Sequence, residues 1–326
     1  MISLAELSDT KLRHLIPRRG KYRAMMTFEI SARRFITTSR NLFVVSRPWS
    51  FIMPVICTSF AFSLGYYMTR SFNPLFYILV LLGTVLLNAS VNVLNDYFDY
   101  VRGIDTRENT GYRVHPIIHG VLSQRDTLIL GIALGVVGLG TAIYLTLYRP
   151  LALPLGLLGV LLLYMYNGPP FNLKHRALGE ILVFVTYDLI VLGGYYISTG
   201  TISMAGILDG IPLALPIAGV LMVNNLRDIE SDRGKGAKTL AILYPDLSRR
   251  LYVAFMTCPY LALASLVAVK LLPLSATISL LTGYFVISRS LRISRELPPD
   301  SPAQTSQIFM LFGALYVIST LLGAWT

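Results

Sequence analysis

The sequence predicts an all-α protein, a polytopic membrane bundle of about nine transmembrane helices built as two four-helix pseudo-repeats plus one. Three observations predict it. The chain of 326 residues is 54% hydrophobic and only 14% charged, too apolar for an ordinary soluble domain. Apolar runs near twenty residues long recur along it, the length that crosses a bilayer as a helix. A short polar motif closes one of these runs and returns at the end of another.

The elements follow in order. Residues 1–46 are basic and lack an apolar core, so they form no secretory signal. Within them, residues 22–45 mix arginines with Met, Phe, Ile and Leu. That mixture suits a helix lying on an anionic cytoplasmic leaflet, or a solvated tail. Residues 47–326 form the transmembrane domain. Its predicted spans are 49–68, 75–98, 127–146, 151–167, 179–199, 205–225, 252–269, 271–288 and 306–325. "RPWSF" opens the first, an arginine and a tryptophan at a membrane boundary. Gly168-Pro169-Pro170 stops the fourth.

Orientation follows from charge. With a cytoplasmic N-terminus and nine spans, all but three of the 28 Lys and Arg residues fall on the cytoplasmic side. The three exceptions are Arg70, Arg149 and Lys270. The positive-inside rule therefore places the N-terminus inside and the C-terminus outside. The same bias accounts for the net charge of +11, and no basic patch interleaved with stacking aromatics points to nucleic acid. Cys57 and Cys258 both fall inside predicted spans and read as two buried thiols. His115 and His119 are spaced i, i+4, but in a Pro- and Gly-interrupted loop without cysteine partners, so no zinc site is predicted.

The chemistry lies in the recurring motif. "VNVLND" at 91–96 returns as "VNNLRD" at 223–228, and its aspartates are 132 positions apart. Both copies sit at the cytoplasmic end of a span, the second and the sixth. These run in the same direction, so the repeat is parallel, about an axis along the membrane normal. On a helix, Asn92, Asp96 and Asp99 share one face at i, i+4, i+7, with Asn95 adjacent. Asp105 follows Gly103, where the helix is expected to break. In the second copy Asn224, Asp228 and Asp232 are i, i+4, i+8, and Asn225 joins them. An aspartate at a helix centre costs about 2.5–3.5 kcal/mol on insertion scales. Two carboxylates about 6 Å apart repel by roughly 3 kcal/mol at an effective dielectric of 20. Facing stripes therefore call for protons or cations, and hard oxygen ligands suit Mg2+, which shares its shell with substrate phosphates. The stripes point to a diphosphate held by metal ions. The plainer reading, charged helix ends at the headgroup level, fits one such motif better than two amide-supported copies in matching positions.

Cytoplasmic loops supply further candidates. "YMYNGPPFNLKHRALGE" at 164–180 carries Tyr166, Lys174 and Arg176, and Lys174 offers a phosphate a point charge. A positive-inside anchor is the alternative. "GKGAKTLAI" at 234–242 lacks Walker spacing and follows no strand. Its Lys235 and Lys238 lie beside the second stripe and are candidates for the same anion.

These residues bring the chain to a family. "NVLNDYFDYVRGID" resembles the first motif of the UbiA superfamily of intramembrane prenyltransferases, and "NNLRDIESDRGKGAKTLAI" resembles the second. "NGPPFNLKHRALGE" is similar to the family's third loop and "RPWSF" to its first-helix signature. Within the superfamily the chain most resembles the 1,4-dihydroxy-2-naphthoate prenyltransferases of menaquinone biosynthesis. Many branches that prenylate other acceptors carry N-K-P-x-R-P-[IL] in loop 2–3. Here "ENTGYRVHPIIHG" has His115 where that arginine would stand, and Ala237 stands where naphthoate enzymes often have lysine.

The resemblance implies that Asp96, Asp99, Asp228 and Asp232 bind Mg2+ and are catalytic. It implies that Asn92, Asn95, Arg47, Tyr166, Lys174, Asn224, Asn225, Arg227 and Lys238 line the substrate site, with Asp105 polarising the acceptor. The partners implied are an isoprenyl diphosphate, an aromatic quinone precursor and the lipid bilayer, into which the prenyl tail opens. The expected reaction is Mg-dependent prenyl transfer from the diphosphate to that precursor. Two alternatives stand beside it. One is the same transfer to homogentisate, a chlorin, a haem or a glycerol phosphate lipid. The other is an ion-coupled transporter, which would hold its acidic groups in unwound mid-membrane helices instead of at cytoplasmic ends.

Overall fold

A computed structural model describes residues 41–107 and 114–325. Of the reading of residues 22–45 as an interfacial helix, residues 22–40 lie outside these residues, as does part of loop 2–3; the described residues 41–45 are helical. Residues 47–326 make one compact unit, and its elements are helical throughout the described residues.

A 3-10 turn at Pro48–Phe51 leads into α1, Ile52–Thr69. The helices α2 (Pro74–Val101), α3 (Gln124–Thr146), α4 (Ala152–Asn167) and α5 (Gly179–Thr199) follow. After a short turn of helix at Met204–Leu208 come α6 (Ile211–Arg227) and α7 (Pro245–Ala268). A 3-10 segment, Leu274–Thr282, precedes α8 (Gly283–Glu296), and α9 is Ser301–Leu322. Eight of these spans are long and apolar enough to cross a membrane. The predicted span 151–167 is α4, an apolar helix too short to count with them on length alone.

Helix ends follow local chemistry. Asn73 caps α2 by accepting from the Phe76 N–H at 3.2 Å, with Pro74 at the first helical position. Ser123 caps α3 through the Asp126 N–H at 3.1 Å. Gly103, at φ 74°, takes the chain off the end of α2.

Each helix packs on its sequence neighbour, α1 also packs on α5 and α9, and α9 on α6. α1 and α6 are the most buried spans and α3 among the least. The lipid-facing side of α3 exposes Ile129, Ile132, Val136 and Val137, as expected of a helix in hydrocarbon. Between α2 and α3 the backbones approach closely over small residues. A Cβ on Gly138 would meet the Gly83 carbonyl at 3.1 Å, and one on Gly131 would meet Leu94 at 2.6 Å. Such contact replaces the hydrophobic drive that lipid removes. The chain is an integral, multi-pass membrane protein of all-α architecture.

Candidate active site

The first motif lies in the last two turns of α2, and Asp96 and Asp99 are both buried. Asp96 is ion-paired with Arg47. Arg47 sits just before the Pro48 turn with φ 57°, a left-handed conformation that costs a non-glycine residue about 1–2 kcal/mol. The same turn places Ser50, whose hydroxyl accepts from Asn88 at 2.8 Å and Asn92 at 2.9 Å. The α1 signature and the α2 stripe are thereby tied together.

Asp99 is held from the α4–α5 loop. Lys174 Nζ donates to Asp99 Oδ2 at 2.6 Å and to Asn95 Oδ1 at 3.1 Å. Asn167 Nδ2 donates to Asp99 Oδ1 at 2.9 Å and to Asn95 Oδ1 at 3.1 Å. His175 Nε2 lies 3.1 Å from Asp99 Oδ1. Arg102 in turn donates to the Asn167 backbone carbonyl at 2.6 Å. Burial opposes the Lys174 charge, but Asp99, Tyr166 and Asp105 together outweigh burial and drive the ammonium above the ordinary lysine range. Lys174 was expected to meet a phosphate as an open point charge. It is instead committed to a carboxylate, because the tight turn Leu173–Arg176 aims its side chain back at α2.

The second motif is bent. A single stripe on one helix was expected from Asn224 to Asp232, but α6 stops at Arg227 and Asp228 adopts φ −93° and ψ 7°. One further turn, Ile229–Asp232, follows, with i, i+4 bonds bridging the break from Asp228 N–H to the Asn224 carbonyl and from Asp232 N–H to the Asp228 carbonyl. Arg227 chelates Asp228 with two 2.7 Å bonds and reaches Asn224 Oδ1 at 2.9 Å. Asn225 is buried and donates to Glu180 Oε1 at 2.9 Å. Burial raises the Asp232 carboxyl above its ordinary range, Lys174 pulls it down, and Asp228 and Asp99 push it up. Asp232 therefore feels both motifs, and the two stripes converge on the Lys174 loop.

The remaining candidates separate. Tyr166 lies within electrostatic reach of Lys174, Glu180, Asp99 and Arg47. Asp105 is grouped with Asp96 and His115, their ligand atoms all within 4.8 Å of one another. Lys238 is exposed and makes no ion pair among the described residues. Lys235 is the lysine of that loop turned inward, 3.5 Å from Thr106 Oγ1. The chain reverses between them at Gly236, φ 81°.

Asn167, His175, Glu180, Ser50 and Asn88 were not singled out from the sequence. Asn167 and Glu180 carried a signal, a polar residue at the end or start of an apolar span. Ser50 and His175 carried none. Cys57 and Cys258 are free thiols, Cys57 buried and Cys258 only partly so.

An oxygen-rich donor set fits Mg2+. Asp105 and Asp232 present carboxylate oxygens at the site, and Asp96, Asp99 and Asp228 add theirs once their cationic partners turn elsewhere. This bundle, with amide-supported acidic motifs closing two of its helices at one basic loop, has the architecture of an intramembrane transferase. Residues 55–318 match the UbiA prenyltransferase family, and the chain belongs to that family and is a prenyltransferase. It is 28% identical over 286 residues to UbiA prenyltransferase domain-containing protein 1 of Homo sapiens, covering 85% of this chain and 82% of the relative. The 1,4-dihydroxy-2-naphthoate octaprenyltransferase of Bacillus subtilis is 34% identical over 176 residues, covering 52% and 55%. A UbiA homolog from Archaeoglobus fulgidus, solved with GPP and Mg2+, superposes with a TM-score of 0.63 at 16% identity, covering 88% of this chain and all of that one. The apo UbiA homolog of Aeropyrum pernix K1 gives 0.65 at 20% identity, covering 81% and 97%. At these identities the two structures establish the fold alone.

Proposed function

We propose that this prenyltransferase moves an isoprenyl chain from a polyprenyl diphosphate to an aromatic quinone precursor, 1,4-dihydroxy-2-naphthoate, with Mg2+ as cofactor. The observation that carries the reading is the convergence of both acidic motifs on Lys174, which bonds Asp99 and acts on Asp232. The naphthoate acceptor rests on the motif resemblance and on the partial match to the Bacillus subtilis enzyme. The active-site loops and the N-terminus face the cytoplasm on the distribution of Lys and Arg, and residues 1–46 form a basic segment outside the transmembrane domain.

Three of the acidic groups already hold a cation: Arg47 on Asp96, Lys174 on Asp99 and Arg227 on Asp228. Bound divalent metal supplies a Lewis acid for the diphosphate oxygens. Asp96, Asp99, Asp228 and Asp232 would hold it, with Asn92 and Asn225 beside them. Arg47, Lys174 and Arg227 then turn from carboxylate to phosphate, exchanging one anionic partner for another at little cost in desolvation. Asn95, Asn224 and Tyr166 border the same anion. Lys238 serves only as an outer charge that draws the diphosphate in, and Lys235 takes the closer position.

The allylic C–O bond breaks and its electron pair stays on the diphosphate, stabilised by these cations. A ring carbon of the acceptor gives its π pair to the allylic carbon. The ring regains aromaticity by releasing the substituent at that carbon without its bonding electrons. Val93, Met222 and Val223, buried beside the motifs, keep water from quenching the cation. Asp105 accepts a hydrogen bond from an acceptor hydroxyl and so raises the electron density of the ring.

The test is an assay of purified protein with Mg2+, geranylgeranyl diphosphate and a panel of acceptors. Prenylated naphthoate is expected. Prenylation of homogentisate, a chlorin, a haem or a glycerol phosphate in its place would replace the acceptor. Full turnover in EDTA would refute the metal.

A further inference from the structure

Ser50 stands in the turn Pro48–Phe51 that follows Arg47. Its hydroxyl has one proton and two lone pairs. Ser50 Oγ lies 2.8 Å from the Arg47 carbonyl, which can only accept, so the proton goes there. Both lone pairs then take N–H groups, and Asn88 and Asn92 supply them at 2.8 and 2.9 Å. An amide that presents its NH2 to Ser50 presents its oxygen on the other side. There Asn88 Oδ1 meets Tyr187 Oη at 3.0 Å, and Tyr187 donates. One backbone carbonyl thus dictates each proton along a path from the head of α1 through α2 to α5.

The path begins in the membrane interior and ends at the first motif. Asn88 is eight residues before Asp96, about 12 Å deeper along α2 at 1.5 Å per residue. Tyr187 is buried and Asn88 half-buried, so loss of one partner leaves the next group poorly satisfied. The Arg47 carbonyl also accepts from the Ser50 N–H at 2.9 Å. These two bonds close the turn over a residue held at φ 57°, a conformation that persists only where its surroundings over-determine it. The turn brings the Arg47 guanidinium to Asp96. Arg47 Nε–H is buried and has no hydrogen-bond partner among the described residues, which leaves a donor for a ligand oxygen.

Plain adhesion between helices is the competing account. The Thr58–Thr84 pair, one turn deeper on α2, is of that kind: two hydroxyls 3.2 Å apart join α1 to α2, and either can donate. The Ser50 path differs in two respects. Its proton order is fixed, and it ends on the backbone of a left-handed residue beside a motif aspartate.

We infer that Tyr187 and Asn88 are positioning residues that act through Ser50 to fix the turn holding Arg47 against Asp96. Without the Tyr187 hydroxyl, the Asn88 amide is free to turn its oxygen toward Ser50. The Ser50 proton is then shared between that oxygen and the Arg47 carbonyl, and the turn loosens. The effect on diphosphate binding rests on the role proposed above for Arg47; the path to its carbonyl does not.

Tyr187→Phe removes one oxygen and keeps the ring, and three hydrogen bonds separate that oxygen from the Arg47 carbonyl. Only two Arg-Pro bonds occur in the chain, Arg47-Pro48 and Arg149-Pro150. Full-length protein in lipid, labelled with 13C-carbonyl arginine and 15N-proline, therefore gives two signals by magic-angle-spinning NMR, and Pro150→Ala assigns them. Tyr187→Phe and Ser50→Ala should both move the Arg47 carbonyl signal and leave that of Arg149. Ser50→Thr, which keeps the hydroxyl, should leave both near wild type. An Arg47 carbonyl indifferent to Tyr187→Phe would overturn the inference. The second readout is the Kd for geranylgeranyl thiolodiphosphate, an unreactive analogue, with Mg2+ and no acceptor. Tyr187→Phe should weaken it about three- to tenfold, the size of one hydrogen bond, and Ser50→Thr should bind better than Ser50→Ala. On an Arg47→Ala background Tyr187→Phe should add nothing; additive losses would show that Tyr187 does not act through Arg47 and would also overturn the inference. Wild-type protein that binds no diphosphate would refute the proposed diphosphate site, and the Arg47 carbonyl signal would still decide the positioning path.

Discussion

Replacing Lys174 with alanine tests both the stability and the chemistry of the site. The ammonium is the donor to Asp99 Oδ2 at 2.6 Å and to Asn95 Oδ1 at 3.1 Å, and the Asp99 side chain is only 2% exposed. Removing one partner of a buried pair costs about 3–5 kcal/mol, because the other charge is left uncompensated. Asn167 and His175 remain on Asp99 Oδ1, so the loss should fall at the lower end, about 3 kcal/mol. The Lys174 ammonium is raised above its ordinary value of 10.5. Its contribution is therefore complete below that pH and is lost only as pH rises through the higher folded-state value. The destabilisation should be constant across neutral pH. Asp99→Asn on the Lys174→Ala background removes the stranded charge and should return most of the stability without returning activity. Thermal unfolding in detergent measures the first effect. Steady-state kinetics with each substrate varied in turn measures the second, and Lys174→Ala should weaken diphosphate use about ten- to a hundredfold whichever acceptor is supplied. A double variant as unstable as Lys174→Ala would refute the stranded-charge argument. A change confined to the acceptor KM would remove Lys174 from the diphosphate.

Other predictions follow from the same contacts. Asp96→Asn and Asp228→Asn should each nearly abolish turnover in folded protein, and chelation of Mg2+ should mimic both; turnover retained in either variant would show that one motif suffices. Gly138→Leu forces a side chain against the Gly83 carbonyl 3.1 Å from its Cβ and should destabilise the protein by about 1–3 kcal/mol, seen as a lower Tm. Cysteines placed in loops 2–3 and 6–7 should react with an impermeant reagent only from the cytoplasmic side; labelling from outside would reverse the assigned orientation.

The helices were legible because hydrocarbon leaves the chain few options. Backbone groups there must be satisfied within each span, so composition and run length locate spans such as 75–98 and 179–199 nearly to their ends. The acidic stripes were legible for a related reason: an aspartate near a span is costly enough to be noticed in one dimension, and helical spacing sets Asn92, Asp96 and Asp99 on one face. What each stripe touches was not legible. Asp99 takes partners from Asn167, Lys174 and His175, all more than sixty residues away, and Asn225 finds Glu180 on a different helix. No periodicity encodes such pairings, because they depend on how α2, α5 and α6 cross. The choice of Lys235 over Lys238 turned on the reversal at Gly236. Spacing along the chain placed each charge on its helix, and only helix crossing and loop closure determined which opposite charge it meets.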